Sequence, residues 1–259
     1  MPNSATGKLL TKPEKMPEPD KSAGNSSESG LLAHLEALRR TLLYCMAVTA
    51  VLIPAGYFAA PYAIEYLVKW SMPENFGKMY YFAPMEVFLL HLKVALILAL
   101  TAGYPLNILF LWRFLLPALY QNERRILPAW LLASTVLFAG GAVFCVGFIL
   151  PMVMNFSLGF AGNNVAPMLG LANFVTLAGW MMLAFGIMFQ SPLIVLLAVK
   201  LNFISTASLA AKRSYVIVII LILAAIFTPP DVVSQLLLAI PAWLLFEAGL
   251  LLAKHLEKK

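Results

Sequence analysis

The sequence has few charged residues for its length. Only 12% of its 259 residues are Asp, Glu, Lys or Arg, whereas 61% are hydrophobic, and the mean hydropathy is +0.85. A chain with so little polar surface cannot cover a soluble globule of this size. The composition therefore excludes a soluble protein and predicts an integral membrane protein.

The sequence also lacks the motifs of enzymes and metal sites. Cys45 and Cys145 both fall in apolar segments, where cysteine usually serves as a small packing residue. His34, His91 and His255 are scattered, and the sequence contains no zinc-protease motif, nucleophile elbow or phosphate-binding loop. These absences argue against an enzyme, a metal site and a bound cofactor.

Long apolar runs separated by short polar segments predict transmembrane helices. A span needs about 20 largely apolar residues, and runs such as 216–223 are apolar on every side, which excludes the alternation of a β-barrel strand. The predicted fold class is an all-α integral membrane protein with six transmembrane helices, of which the last two are short. The predicted spans are residues 41–60, 86–112, 128–150, 174–199, 214–227 and 233–253.

The first 30 residues differ in composition from the rest of the chain. They are rich in Lys, Pro, Glu, Ser and Gly, and such a segment cannot bury enough apolar area to order itself. We expect a disordered cytoplasmic tail over residues 1–30, one six-helix transmembrane domain over 31–257, and a tail end at 258–259. The domain begins with LLAHLEALRRTLL, which predicts an amphipathic lead-in at the membrane interface.

The distribution of Lys and Arg predicts the orientation of the spans. With a cytoplasmic N-terminus, fifteen Lys and Arg residues fall on the cytoplasmic side, and Lys69 and Lys78 fall on the other side. The positive-inside rule favours this arrangement, which places both termini in the cytoplasm. Residues 61–85 and 151–173 are then predicted to be outer loops.

Polar side chains inside the predicted spans are costly, so they are candidates for function. Gln190 lies in span four, and its amide needs partners on facing helices or in a hydrated cavity. Glu86 and Lys93 lie seven residues apart on one face of span two. We expect these two to pair, or the Lys93 amine to extend towards the membrane surface.

Several motifs along the chain resemble those of a known family. They are HLEALRRTLL in the lead-in, FAPMEVF at 82–88, FLLPALYQNERR at 114–125, FGIMFQSP at 185–192 and FTPPDVVSQLLLAIPAWLLFE at 227–247. In these motifs the chain resembles TatC, the large polytopic subunit of the twin-arginine protein translocase. The resemblance covers nearly everything outside the tail. It implies a core receptor that binds twin-arginine signal peptides at the cytoplasmic face and nucleates translocation of folded proteins, driven by the proton-motive force.

The resemblance also implies roles for individual residues. Glu123 matches the acidic residue that contacts the arginine pair of the signal, and Phe114 matches its neighbouring aromatic residue. Arg39 matches the arginine of the lead-in motif. Thr228 and Gln235 match positions associated with the docking of partner helices near the outer ends of spans five and six.

The chain departs from the family pattern at positions where the family carries charge. In the lead-in, the family glutamate is replaced by Ala37 and its last arginine by Thr41, so the adjacent Glu36 becomes the candidate signal-binding carboxylate there. The intramembrane glutamate that is frequent in span four is Gln190 here, which is polar but neutral.

The resemblance implies a multi-pass protein of the bacterial cytoplasmic (inner) membrane. Its partners would be single-span Tat subunits of the TatA/TatB type, signal peptides and membrane lipid, within a larger oligomeric complex and without nucleic acid. Two alternatives stay open: a small-solute secondary transporter, and a scaffold subunit with weakened signal binding. Transporters tend to contain internal repeats, and residues 31–150 and 151–259 share none. The scaffold alternative rests on Ala37 and Gln190, which stand where the family pattern has acidic residues.

Overall fold

A computed structural model describes residues 22–72, 79–115, 127–159, 168–228 and 232–257, and nearly all of these residues are helical. The chain divides into two compact units, residues 1–40 and 41–259. Helix α1 contributes residues to both units, and the remaining helices belong to the second. The helices are α1 (Ser22–Ser71), α2 (Glu86–Leu115), α3 (Leu127–Phe144), α4 (Leu150–Gly159), α5 (Leu171–Met188), α6 (Ser191–Lys200), α7 (Thr206–Ala211), α8 (Arg213–Phe227) and α9 (Val232–Glu257).

Five helical stretches are long and apolar enough to cross a membrane, which confirms the prediction of an all-α membrane protein for the described part of the chain. They are His34–Ser71, Glu86–Phe114, Pro128–Gly159, Leu171–Lys200 and Val232–Glu257. Helix α8 is apolar but has only 15 residues, or roughly 22 Å at 1.5 Å per residue. The sixth crossing therefore stays a prediction.

The prediction that the last two helices are both short is wrong for the second of them. Helix α9 contains 26 residues and continues to Glu257. The helix passes through Glu247, whose carboxylate lies 2.8 Å from the Arg213 guanidinium of α8. This ion pair lowers the cost of a charge within an apolar helix.

Two helical stretches extend into the segments predicted to be outer loops. Helix α1 continues through Pro61 to Ser71, because Ala60 and Ile64 are buried in the main core and their packing offsets the hydrogen bond that proline cannot make. The third crossing continues through Pro151 to Gly159.

A π-helical segment, Cys145–Ile149, precedes Pro151 and joins α3 to α4. The Leu150 N–H donates to the Cys145 carbonyl, five residues back. A local widening of this kind relieves the clash between a proline ring and the preceding turn.

Helix α1 also begins earlier than expected. Residues 22–30, which were predicted to belong to a disordered tail, are helical. The last proline of the tail is Pro19, and no proline follows it until Pro54, so no residue of that type stops a helix from starting at Ser22. Residues 1–21 and 258–259 lie outside the described residues.

The core of the second unit is formed by apolar side chains from several helices. Leu90, Leu150, Met181, Phe185 and Leu238 are almost completely buried, and they join α2, α4, α5 and α9. A second cluster packs Phe246, Leu250 and Ala253 of α9 against Val195 of α6. Burial of this kind positions the polar side chains described below.

Two backbone hydrogen bonds connect the segments that precede α2 and α5. The Tyr80 N–H donates to the Leu169 carbonyl at 3.1 Å, and the Leu171 N–H donates to the Tyr80 carbonyl at 2.8 Å. The N-terminal ends of α2 and α5 therefore lie at the same end of the bundle.

Helices α6 and α9 approach each other closely at Gly249. A Cβ atom added at Gly249 would lie 2.6 Å from the Pro192 Cα, which is shorter than van der Waals contact. We expect Gly249→Ala to lower the free energy of unfolding by about 1–3 kcal/mol because the two helices must separate.

Thermal unfolding in detergent measures this effect, and Gly140→Ala is the matched control. Apart from its chain neighbours and the backbone of its own helix, no atom of the described part of the chain lies within 4 Å of the Cβ position at Gly140, so alanine there should be neutral or stabilising by up to about 1 kcal/mol. Equal unfolding temperatures for the two variants would contradict the close approach.

Candidate functional site

The apolar stretch predicted as span four is interrupted at Gln190. Helix α5 ends at Met188 and α6 begins at Ser191, with a turn at residues 189–190. Pro192 has no N–H to donate to the preceding turn, and the Gln190 N–H bonds three residues back, to the Ile187 carbonyl at 3.0 Å. The motif FQSP thus places a side-chain amide at a break in the helix.

The Gln190 side chain is held by α3. Its Oε1 accepts a hydrogen bond of 2.8 Å from the Ser134 hydroxyl, and its Nε2 donates to the Ser134 carbonyl at 3.0 Å. Nε2 also lies 3.5 Å from the Gly186 carbonyl oxygen. The amide therefore has the partners on a facing helix that its position in the membrane requires.

Tyr104 of α2 extends this network to a third helix. Its hydroxyl lies 2.9 Å from the Ser134 hydroxyl, and its ring stacks on Phe138 with centroids 3.8 Å apart. Tyr104, Ser134 and Gln190, here called the polar cluster, are neutral groups that satisfy one another. An ionised glutamate at 190 could accept from Ser134 but would face the carbonyl oxygens of Ser134 and Gly186, so the geometry suits an amide.

The segment that carries Glu123, Arg124 and Arg125 lies outside the described residues, but both of its flanking helices are described. Trp112, near the end of α2, and Trp130, near the start of α3, contact each other edge to face with ring centroids 5.8 Å apart. The Lys200 ammonium at the end of α6 lies 6.0 Å from the Trp130 ring centroid. These three side chains, here called the tryptophan cluster, join α2, α3 and α6 near the helix ends that flank the segment in the sequence.

Sequence reasoning did not single out the tryptophan cluster. The sequence could have indicated it, because the two tryptophans lie on either side of the charged segment and tryptophan is enriched at membrane–water interfaces. Phe114 lies on the same last turn of α2 and is half-buried.

Glu36 and Arg39 lie in the first unit, on α1. Both side chains are exposed, and their spacing of three residues places them on one face of the helix. Because Glu123 lies outside the described residues, the structure describes no single site that contains all of the predicted signal-binding residues.

Thr228 and Gln235 lie at the junction of α8 and α9. The buried Thr228 hydroxyl donates to the Ala224 carbonyl at 2.9 Å. The Gln235 amide donates to the Leu221 carbonyl at 3.0 Å, which ties α9 to α8. Beside them, Ile226 is 69% exposed and Val232 is 70% exposed, so the junction presents apolar side chains outwards.

The predicted pairing of Glu86 with Lys93 is wrong. The Glu86 carboxylate accepts the backbone N–H groups of Phe82 at 2.6 Å and Ala83 at 3.2 Å, at the start of α2. Seven residues of helix separate the two Cα atoms by roughly 10 Å along the axis, and the carboxylate turns away from the lysine to cap its own helix.

We expect Ser134 and Gln190 to stabilise the protein as a pair. In a double-mutant cycle of Ser134→Ala and Gln190→Ala, the coupling energy should be about 0.6–1.7 kcal/mol, the range for hydrogen bonds between membrane helices. Unfolding in detergent provides the measurement.

Thr135→Ala serves as the control partner in the same cycle. The Thr135 hydroxyl donates to the Leu131 carbonyl of its own helix at 2.9 Å, so its coupling to Gln190 should be near zero. Coupling of Ser134 to Gln190 no larger than that of Thr135 would show that the cluster does not join the helices.

Comparison with known proteins identifies one family. The family described as Sec-independent protein translocase protein (TatC) matches residues 33–241. Three relatives, each named Sec-independent protein translocase protein TatC, are 33% identical to this chain. They come from Magnetococcus marinus (88% of this chain and 85% of the relative), Haemophilus influenzae (88% and 90%) and Aquifex aeolicus (88% and 96%).

Two solved structures share the fold. One is the crystal structure of the twin arginine translocase receptor TatC in DDM, with a TM-score of 0.79 and 30% identity over 85% of this chain and 99% of that one. A second crystal structure of the same receptor has a TM-score of 0.77 and 32% identity over 85% and 98%.

Proposed function

Because this chain belongs to the TatC family of Sec-independent protein translocases, we propose that it is the signal receptor at the core of a twin-arginine translocase. It is a membrane component of protein transport. In the proposal it binds twin-arginine signal peptides at the cytoplasmic face of the bacterial inner membrane. It then nucleates the passage of folded proteins, driven by the proton-motive force. The family match over residues 33–241 carries this proposal.

The proposed topology has six crossings with both termini in the cytoplasm. The contact of Tyr80 with Leu169 marks one end of the bundle, and the tryptophan cluster marks the other end of α2. The second end carries the basic residues Arg113 and Lys200, and the positive-inside rule favours it as the cytoplasmic end. The short α8 then crosses a locally thinned bilayer or relies on α9 to cover its ends.

Recognition of an arginine pair requires a carboxylate at this cytoplasmic end. A guanidinium group binds a carboxylate through two parallel hydrogen bonds, which lysine cannot reproduce. In the proposal Glu123 supplies the carboxylate, and Phe114, Glu36 and Arg39 are the other candidate signal-binding residues. The tryptophan cluster supports this assignment because it connects α2, which precedes the Glu123 segment, to α3, which follows it.

Removing the charge of Glu123 tests the receptor role. We expect Glu123→Gln to reduce photo-crosslinking of a twin-arginine signal peptide about tenfold or more, because a neutral amide loses the charge-assisted bonds. Membrane abundance should stay unchanged.

Glu65→Gln is the matched control, since Glu65 is exposed on α1 in the half of the helix assigned to the outer side. Crosslinking that persists in Glu123→Gln at the level of Glu65→Gln would exclude Glu123 as the signal ligand.

The junction of α8 and α9 is the proposed docking surface for single-span partner subunits of the TatA/TatB type. The exposed apolar side chains there offer packing for a partner helix, and Thr228 and Gln235 hold the junction in shape through their bonds to α8. Polar groups of this kind add specificity to helix association in membranes.

We expect Gln235→Leu and Thr228→Val each to reduce partner crosslinking at the junction severalfold while signal-peptide crosslinking stays unchanged. Thr135→Val is the control, because its hydroxyl makes the same 2.9 Å bond to its own helix on α3. If all three variants crosslink the partner equally, the docking surface lies elsewhere.

A further inference from the structure

An apolar groove of about 360 Å³ lies between α1, α2, α5 and the end of α3 with its π-helical segment. Its floor is formed by buried side chains, and its outer wall by exposed ones. Val94 and Ala178 are 7% and 1% exposed, whereas Val143 is 69% exposed. The groove is therefore open on the outer surface of the helix bundle.

The groove exists because small residues and a widened helix meet at this level. Ala142 and Gly147 lie on the α3 side, whereas Gly179 of α5 is covered by the Ile97 side chain of α2. Apart from its chain neighbours and the backbone of its own helix, no atom of the described residues would lie within 4 Å of a Cβ atom at Gly147, so this position faces open space. Among the residues that the structure describes, neither charged nor amide side chains line the groove.

The surroundings of the groove restrict what can fill it. The four helical stretches that form it are among those long and apolar enough to cross a membrane, so the solvent at its mouth is lipid hydrocarbon. An apolar cavity of this kind does not hold water. The occupant is therefore either an acyl chain or an apolar helix of a partner.

The lining favours the acyl chain. Helices associate in membranes through interhelical hydrogen bonds as well as close packing, and the described lining residues include neither an amide nor a charged side chain that could bond a partner helix. An acyl chain needs no hydrogen bond, and the surrounding bilayer supplies it at the membrane-facing side of the groove.

The aromatic side chains at the rim indicate where a headgroup would lie. Tyr66 and Trp70 both line the groove, and their rings stack with an interplanar angle of 11° and centroids 6.2 Å apart. Tyrosine and tryptophan prefer the headgroup level of a bilayer. The groove thus runs from an interfacial aromatic pair into the apolar interior.

We propose that this groove is a binding site for one acyl chain of a membrane phospholipid, with the headgroup at the level of Tyr66 and Trp70. The chain fills the space that the π-helical segment opens and packs against α1, α2, α3 and α5. This site is separate from the signal-binding and docking surfaces proposed above and does not depend on them.

Fluorescence quenching tests the site directly. The full chain keeps Trp70, its other four tryptophans are replaced by phenylalanine, and a phospholipid brominated on its acyl chain is titrated into the detergent-solubilised protein. Trp70 should be quenched with saturation at a low lipid fraction. A protein that keeps only Trp180 is the comparison, because Trp180 is 55% exposed, close to the 54% of Trp70, and does not line the groove.

A filling substitution provides the second arm. Gly147→Leu places a side chain in the groove without displacing a neighbour, and Gly140→Leu adds the same side chain at another open position of α3, outside the groove. We expect Gly147→Leu to weaken the saturable quenching of Trp70 about tenfold or more and to remove co-purified phospholipid seen by native mass spectrometry. Gly140→Leu should change neither.

The outcomes separate the two occupants. Quenching that is equal and unsaturable for Trp70 and Trp180, or equal lipid retention in both leucine variants, would overturn the proposal. Loss of crosslinking to a single-span partner in Gly147→Leu, with lipid retained, would assign the groove to a helix and would also overturn it.

Discussion

The structure depends on one constraint: in hydrocarbon, the polar groups of the backbone must find their hydrogen-bond partners within the protein. Helices meet this condition along most of the chain, and the interruptions show how it is met elsewhere. At Pro151 the preceding π-helical turn redirects the Leu150 N–H to Cys145. At Pro192 the helix breaks, and the polar cluster around Gln190 joins the break to α3.

The same constraint explains why an amide fits at 190. An amide both donates and accepts, so it can bond the hydroxyl and the carbonyl of Ser134 together. A carboxylate has no N–H to donate. The neutral side chain at this position is therefore matched by its surroundings. In the proposed function, recognition of a cationic signal then falls to the carboxylates at the proposed cytoplasmic end.

Small residues let helices within this apolar core approach each other at backbone distance. Lipid tails are as apolar as leucine, so helices in a membrane associate through close contact and hydrogen bonds. Gly249 allows α9 to reach the Pro192 backbone, and the Gln235 amide bonds α8 to α9. Where small residues are not matched by a neighbour, as at Gly147, a groove remains.

The sequence by itself determined the class of the protein, because hydrophobicity over 20 residues is a local property that needs no partner. It also showed the family motifs, among them the one that carries Glu123. Only the tertiary structure decided that α1 and α4 continue past Pro61 and Pro151, that Glu86 caps its own helix, and that Glu247 pairs with Arg213 inside a long α9. Whether a proline or a charge ends a helix depends on the partners that distant segments bring to it, and single-sequence periodicity carries no information about those partners.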